Sequence, residues 1–162
     1  MSEGVRSIVA GQSALYVLAA VALLLTVVRA TPRDPRQIAD LRRAFLAGVA
    51  CQCIHMIEEL LTGFHVLLPA VFGQPAWSAE FFVTFNVAWI AVWVLAAAAL
   101  EGWPRLALFP IWFFGLGMVG NAVWHPLLAL LRQGYFPGLF TSPLVGIAGV
   151  VVMRRLIAAT RR

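Results

Sequence analysis

Five long apolar runs divide this chain, and they constrain its fold more than any other feature. They cover about residues 8–28, 45–68, 81–100, 106–131 and 139–153. An α-helix rises ~1.5 Å per residue, so ~20 apolar residues match the ~30 Å hydrocarbon core of a bilayer. Membrane β-strands need only ~9–11 residues, so these runs read as helices. Hydrophobic residues make up 62% of the chain and charged ones 12%, against about 45–50% and about 25% in a soluble domain. The expected fold is all-α: a polytopic transmembrane helix bundle of about five spans, one membrane domain over residues 1–162. The first run exceeds the ~7–15-residue core of a signal peptide and reads as a retained helix. The last is the shortest and lengthens only if Arg154 and Arg155 snorkel.

Every basic residue is Arg. The pI of 10.6 would suit a nucleic-acid binder, but these arginines flank apolar runs, so no nucleic-acid partner is expected. With five spans, one side of the membrane receives Arg29, Arg33, Arg36, Arg42, Arg43, Arg105, Arg154, Arg155, Arg161 and Arg162. The other receives Arg6 and Arg132. The positive-inside rule then places the protein in the cell membrane with its N-terminus outside and its C-terminus in the cytoplasm.

The second run carries His55-Met56-Ile57-Glu58-Glu59. One ionisable group at the bilayer centre costs roughly 2.5–3.5 kcal/mol on insertion scales. Positions i, i+3 and i+4 share a helix face, so His55, Glu58 and Glu59 are expected to point together into the protein interior. Adjacent carboxylates repel, and such a pair asks for a shared proton or a bound cation. Cys51 and Cys53, two residues apart, face away from one another and are not expected to pair.

Other polar groups in the runs are few. Asn86 lies in the third; Asn121 and His125, spaced i, i+4, lie in the fourth; His65 ends the second. Counting from Ala44, His55 is about 16 Å deep and Glu59 about 22 Å. Counting from Leu106 on the same side, Asn121 is about 22 Å deep and His125 about 28 Å. Asn86 is about 8 Å below the opposite surface. In isolation, Asn or His in a span is interhelical glue worth about 0.6 kcal/mol, and His65 reads as an interfacial histidine. Glue does not account for His55, Glu58 and Glu59 within one turn. Asn86, Trp89 and Trp93 share a face, and Trp124 adjoins His125; such aromatics fill cores, or line a pocket for an apolar substrate.

Gly115-Leu116-Gly117-Met118-Val119-Gly120 fits G-x-G-x-x-G. No strand precedes it, so the dinucleotide reading fails and close helix packing replaces it.

His55-Met56-Ile57-Glu58-Glu59, Asn121-Ala122-Val123-Trp124-His125 and Tyr135-Phe136-Pro137-Gly138 resemble, in order, the H-x-x-E-E, N-x-x-x-H and Y-x-P-G motifs of the HXXEE-domain family. That family comprises uncharacterised membrane proteins with a suspected enzymatic role. The resemblance supports the choice of residues and supplies no substrate. Tyr135, Thr141 or Ser142 could cap the site from outside; equally, the segment is a plain turn with Ser142 as helix N-cap and Pro143 in the first turn.

The leading expectation is a membrane enzyme with a Glu58, Glu59, His55, His125, Asn121 and Asn86 site. In its metal-dependent form, His55, Glu58, Glu59 and His125 ligate Zn²⁺ or iron for hydrolytic or oxidative chemistry. Its partner is a membrane lipid or apolar small molecule, held by Tyr135, Trp89, Trp93 and Trp124. A metal-free acid/base isomerase or cyclase of isoprenoid or sterol-like substrates is the alternative. A proton- or cation-coupled transporter is another. The metal form requires His55 and His125 within a few ångströms of one another and of a carboxylate. The proton form requires a sizeable apolar cavity between opposed acid and base.

Overall fold

The computed structural model describes residues 13–161, which form helices joined by short connections, with no strand among them. The helices are α1 (Ser13–Val28), α2 (Pro35–Leu61), α3 (Phe64–Val71), α4 (Ala79–Ala99), α5 (Pro104–Leu131) and α6 (Ser142–Ala159). Four of them, α2, α4, α5 and α6, are long and apolar enough to cross a membrane. The described part of α1 is shorter; residues 8–12 of the expected first span, with Arg6 and Arg162, lie outside the described residues.

The second span differs most from its sequence reading. It begins at Pro35, inside what reads as an arginine-rich loop over 29–44. Asp34 is the N-cap, its carboxylate accepting from the Arg36 N–H at 2.9 Å, and Pro35 occupies the first turn. Two arginines of this first stretch are paired: Arg43 with Asp40 at 2.5 Å and Arg42 with Glu101 at 2.6 Å. At the other end α2 stops at Leu61, because Gly63 takes a left-handed φ of 83° and the chain restarts as α3. His65 thus rides on a separate short helix. The last span runs from Ser142 to Ala159 instead of 139–153. Its N-cap is Thr141, not Ser142; the Ser142 hydroxyl donates to the Leu139 carbonyl at 3.0 Å.

The core is built on α5, packed against α6, α4 and α1, with α2 against α6 and α4. Phe45 on α2 meets Phe114 on α5 edge to face, 5.1 Å between centroids, among buried Trp112, Leu108, Ile111, Val145 and Val152. Small residues bring α5 and α6 together. A Cβ added at Gly149 would lie 2.7 Å from Met118 Cβ and 3.0 Å from the Val119 nitrogen. Within the G-x-G-x-x-G run, Gly115 packs against Met153 while Gly117 and Gly120 leave open space. Apolar side chains cover the outside: Leu61 and Phe140 are 79% exposed and Leu130 74%. That surface suits hydrocarbon rather than water.

Arginines close one end of the bundle. Arg105 donates to the Val27 and Arg29 carbonyls at 2.9 Å each, and Arg29 donates to the Ile157 carbonyl at 3.1 Å. They satisfy backbone acceptors that the ends of α1 and α6 leave over. The first loop, the third loop and the tail therefore meet at one end.

Candidate metal site and apolar cavity

Both spans carrying the site rise from that arginine end. His55 lies roughly 30 Å along α2 from Pro35, and His125 roughly 32 Å along α5 from Pro104. The two are level; the offset of about 12 Å in the sequence reading came from starting α2 too late.

At this level His55 and His125 meet edge to face, ring centroids 4.8 Å apart. His55 is fully buried, and His125 and Glu59 are nearly so. Glu59 Oε1 stands 3.5 Å from His55 Nε2 and 3.4 Å from His125 Nε2. One atom from each of these three residues falls within 4.8 Å of the others, so the group could hold a metal ion.

The opposite edge of each imidazole is already engaged. His125 Nδ1 lies 2.6 Å from the Pro137 carbonyl, which can only accept, so Nδ1 carries the proton. His55 Nδ1 lies 2.7 Å from the Thr141 hydroxyl, which spends its own hydrogen on Glu58 Oε2 at 2.5 Å. The hydroxyl oxygen must then accept from His55 Nδ1–H. Both neutral rings consequently present an Nε2 lone pair toward Glu59. A ring N–H tied to a carbonyl or, through a hydroxyl, to a carboxylate is the usual support of a metal-binding histidine.

Glu58 is separated from the group, against the expectation that it joins the ligands. Its carboxylate accepts from Tyr135 Oη at 2.6 Å, Phe140 N–H at 3.0 Å, Thr141 N–H at 2.8 Å and the Thr141 hydroxyl. These bonds fix the segment between α5 and α6 over the cluster. Burial, and then the bond to Glu58, push the Tyr135 phenol up from its ordinary value, so it remains a donor at neutral pH. Tyr135 is accordingly a partner of Glu58 and does not line the cavity described below. Gly138 covers both rings: its φ is 85°, and a Cβ there would lie 2.5 Å from His125 Cε1 and 2.8 Å from His55 Cε1. Phe64 of α3 packs on His125, centroids 5.6 Å apart.

Glu59 forms part of the wall of a cavity of about 680 Å³. The wall is mostly aromatic, with Phe64, Phe82, Phe85, Trp89, Trp93, Phe113 and Trp124, and its polar members are Glu59, Asn121, Asn86 and Gln52. Trp89, Trp93 and Trp124 all line this cavity. Asn121 links cavity and cluster, its Nδ2 being 3.4 Å from His55 Nε2. Asn86 stays on the cavity side, donating to the Phe82 carbonyl of its own helix at 2.9 Å. His65 packs against Phe82, 6.1 Å between centroids, away from the three-residue group.

Sequence reasoning named Thr141 only as a possible cap and missed Gly138 as the cover and Gln52 as a wall residue. Gln52 precedes His55 by three positions and Glu59 by seven, so following that helix face one turn further would have found it.

No family model, no curated protein and no solved structure matches this chain.

Proposed function

We propose that the protein is a membrane-embedded enzyme of the HXXEE type. His55, Glu59 and His125 bind one divalent metal ion, Zn²⁺ or Fe²⁺, beside a cavity that takes a lipid-like substrate. The observation that carries this reading is the convergence of two Nε2 lone pairs on one buried carboxylate, with both outer ring edges committed elsewhere. Two histidines and one carboxylate with a position left open is a ligand set of hydrolytic zinc and of non-haem iron. Bound there, the metal supplies a Lewis acid that activates water or oxygen.

The chain's own residues provide the rest. Glu58 positions His55 through Thr141; with both oxygens occupied it is not placed to exchange protons with a substrate. Asn121 offers an amide beside the cluster to orient a substrate oxygen. The aromatic wall excludes water and strengthens every polar contact inside. The arginine end faces the cytoplasm, which sets the site toward the opposite face of the membrane.

A metal-free acid/base reading draws on the apolar cavity alone. It wants acid and base opposed across that cavity, whereas Glu59 is the one ionisable side chain on its wall among the described residues.

The test is ligand-linked stability. Chelator-treated protein is melted in detergent with excess Zn²⁺ or Fe²⁺. An ion at ~100 times its Kd adds about 2.7 kcal/mol, so a clear rise in Tm with one ion, absent in Glu59→Gln, supports the metal site. No shift with either ion removes it and leaves acid/base chemistry.

A further inference from the structure

The arginine end holds a second concavity, an open recess of about 610 Å³. Arg29, Arg33, Arg105 and Arg161 line it, and Asp34 is its one carboxylate among the described residues. Hydrogen bonds between the turns gather these arginines. Arg105 donates to the Arg29 carbonyl at 2.9 Å, Arg29 Nε donates to the Thr160 hydroxyl at 3.3 Å, and the Ala30 N–H donates to the Thr160 carbonyl at 3.2 Å. Arg161 follows Thr160 directly. Closing the helix ends explains only part of the group. Arg29 and Arg105 spend some of their N–H donors on that task and keep others. Arg33 and Arg161 are exposed, and their side chains have no partner among the described residues. Asp34 is committed to the α2 N-cap. Arg42, Arg43 and Arg155, at the same end, find carboxylates on Glu101 and Asp40, whereas none of the four arginines of the recess is ion-paired among the described residues.

Unneutralised guanidinium groups around one recess suit an oxyanion, because their planar N–H forks match phosphate oxygens. The rim adds an apolar element. Val27 lines the recess and is 62% exposed, and Leu24, one turn away on the same face of α1, is 60% exposed. A soluble phosphate has no use for that face, whereas an acyl chain does. Basic pockets between spanning helices are a recurrent form of lipid-headgroup site. We infer that the recess binds a phosphate group, the headgroup phosphate of an anionic lipid in the leaflet at the arginine end, with an acyl chain along Leu24 and Val27. The site is separate from the metal site and does not depend on it.

The experiment titrates the delipidated whole chain in detergent with phosphatidylglycerol or phosphatidylcholine and counts bound lipid by native mass spectrometry. Wild type should bind the anionic lipid at least about tenfold more tightly. Arg33→Gln and Arg161→Gln should each weaken phosphatidylglycerol binding by about 5-fold, the effect of one arginine near an anionic headgroup. Both cut no side-chain bond among the described residues, so neither should lower the Tm. Arg154→Gln is the control. It removes the same charge from the same end, Arg154 does not line the recess, and its effect should be under about 2-fold, since a screened surface charge reaches only about 10 Å. Excess inorganic phosphate should not displace the lipid from wild type. Equal affinity for the two lipids, or a loss in Arg154→Gln as large as in the recess variants, would overturn the site in favour of diffuse charge. Displacement by inorganic phosphate, lost in Arg33→Gln and Arg161→Gln, would overturn the lipid as its source and assign the recess to a soluble anion.

Discussion

Glu59 Oε1 stands 3.4 Å from His125 Nε2, long for a strong hydrogen bond between two buried groups. Tetrahedral nitrogen and oxygen ligands at ~2.0–2.1 Å from a shared ion are themselves about 3.3–3.4 Å apart. The 3.5 Å separation from His55 Nε2 has the same character. Both separations suit ligands of one ion, and the segment over residues 135–141 holds the two imidazoles through Thr141 and the Pro137 carbonyl.

Glu58 and Glu59, neighbours in sequence, should behave differently on substitution. Glu59→Gln removes the charged ligand and is expected to abolish metal binding while the helices stay inserted. Glu58→Gln puts an NH₂ among four donors and lets the covering segment loosen. Disturbing such an outer partner typically costs 10–100-fold in metal affinity (about 1.4–2.7 kcal/mol). Metal titration of both variants checks this, and equal losses would contradict the assigned division.

Gly138→Ala should be severe for one methyl group. The left-handed backbone adds roughly 1–2 kcal/mol, and the new Cβ meets both imidazoles. The expected result is a lowered Tm together with at least tenfold weaker metal binding. A variant that melts earlier but binds metal normally would show that Gly138 serves only the turn.

Thr141→Val should weaken metal binding more than Tyr135→Phe. The threonine hydroxyl joins Glu58 to His55, while Tyr135 contributes one bond to the rim of the segment. Tyr135 also predicts a pH effect. Its folded value lies above the ordinary phenol value near 10, so the bond to Glu58 is intact below about pH 10 and is lost as pH rises through the raised value. An ultraviolet titration should show a phenol ionising above the ordinary range, absent in Tyr135→Phe.

Gly149→Ala tests the contact between α5 and α6 away from the site. The added Cβ would press on Met118 and the α5 backbone, and overpacking costs typically 1–3 kcal/mol. The Tm should fall while metal stoichiometry, in protein that remains folded, is unchanged.

The apolar runs were enough to indicate helices, and ionisable residues inside two of them were enough to nominate His55, Glu59 and His125. The start of α2 was hidden because Arg36, Arg42 and Arg43 suppress local hydropathy, although Asp34-Pro35 is a helix-start signal in its own right. The break at Gly63 was hidden by apolar residues on both sides. That Glu58 and Glu59 part company was not legible, because the i+3 and i+4 positions flank one face and only the fold decides which meets the covering segment. Gln52 escaped notice because an uncharged amide in a span reads as ordinary helix glue.

The most direct measurement is elemental analysis by mass spectrometry of protein purified in detergent without chelator, wild type beside His55→Ala and His125→Ala. About one zinc or iron per chain is expected in wild type, as a single three-ligand site requires, with loss of that metal in both variants. Wild-type protein without transition metal that also takes up none from added Zn²⁺ or Fe²⁺, or metal retained by both variants, would contradict it.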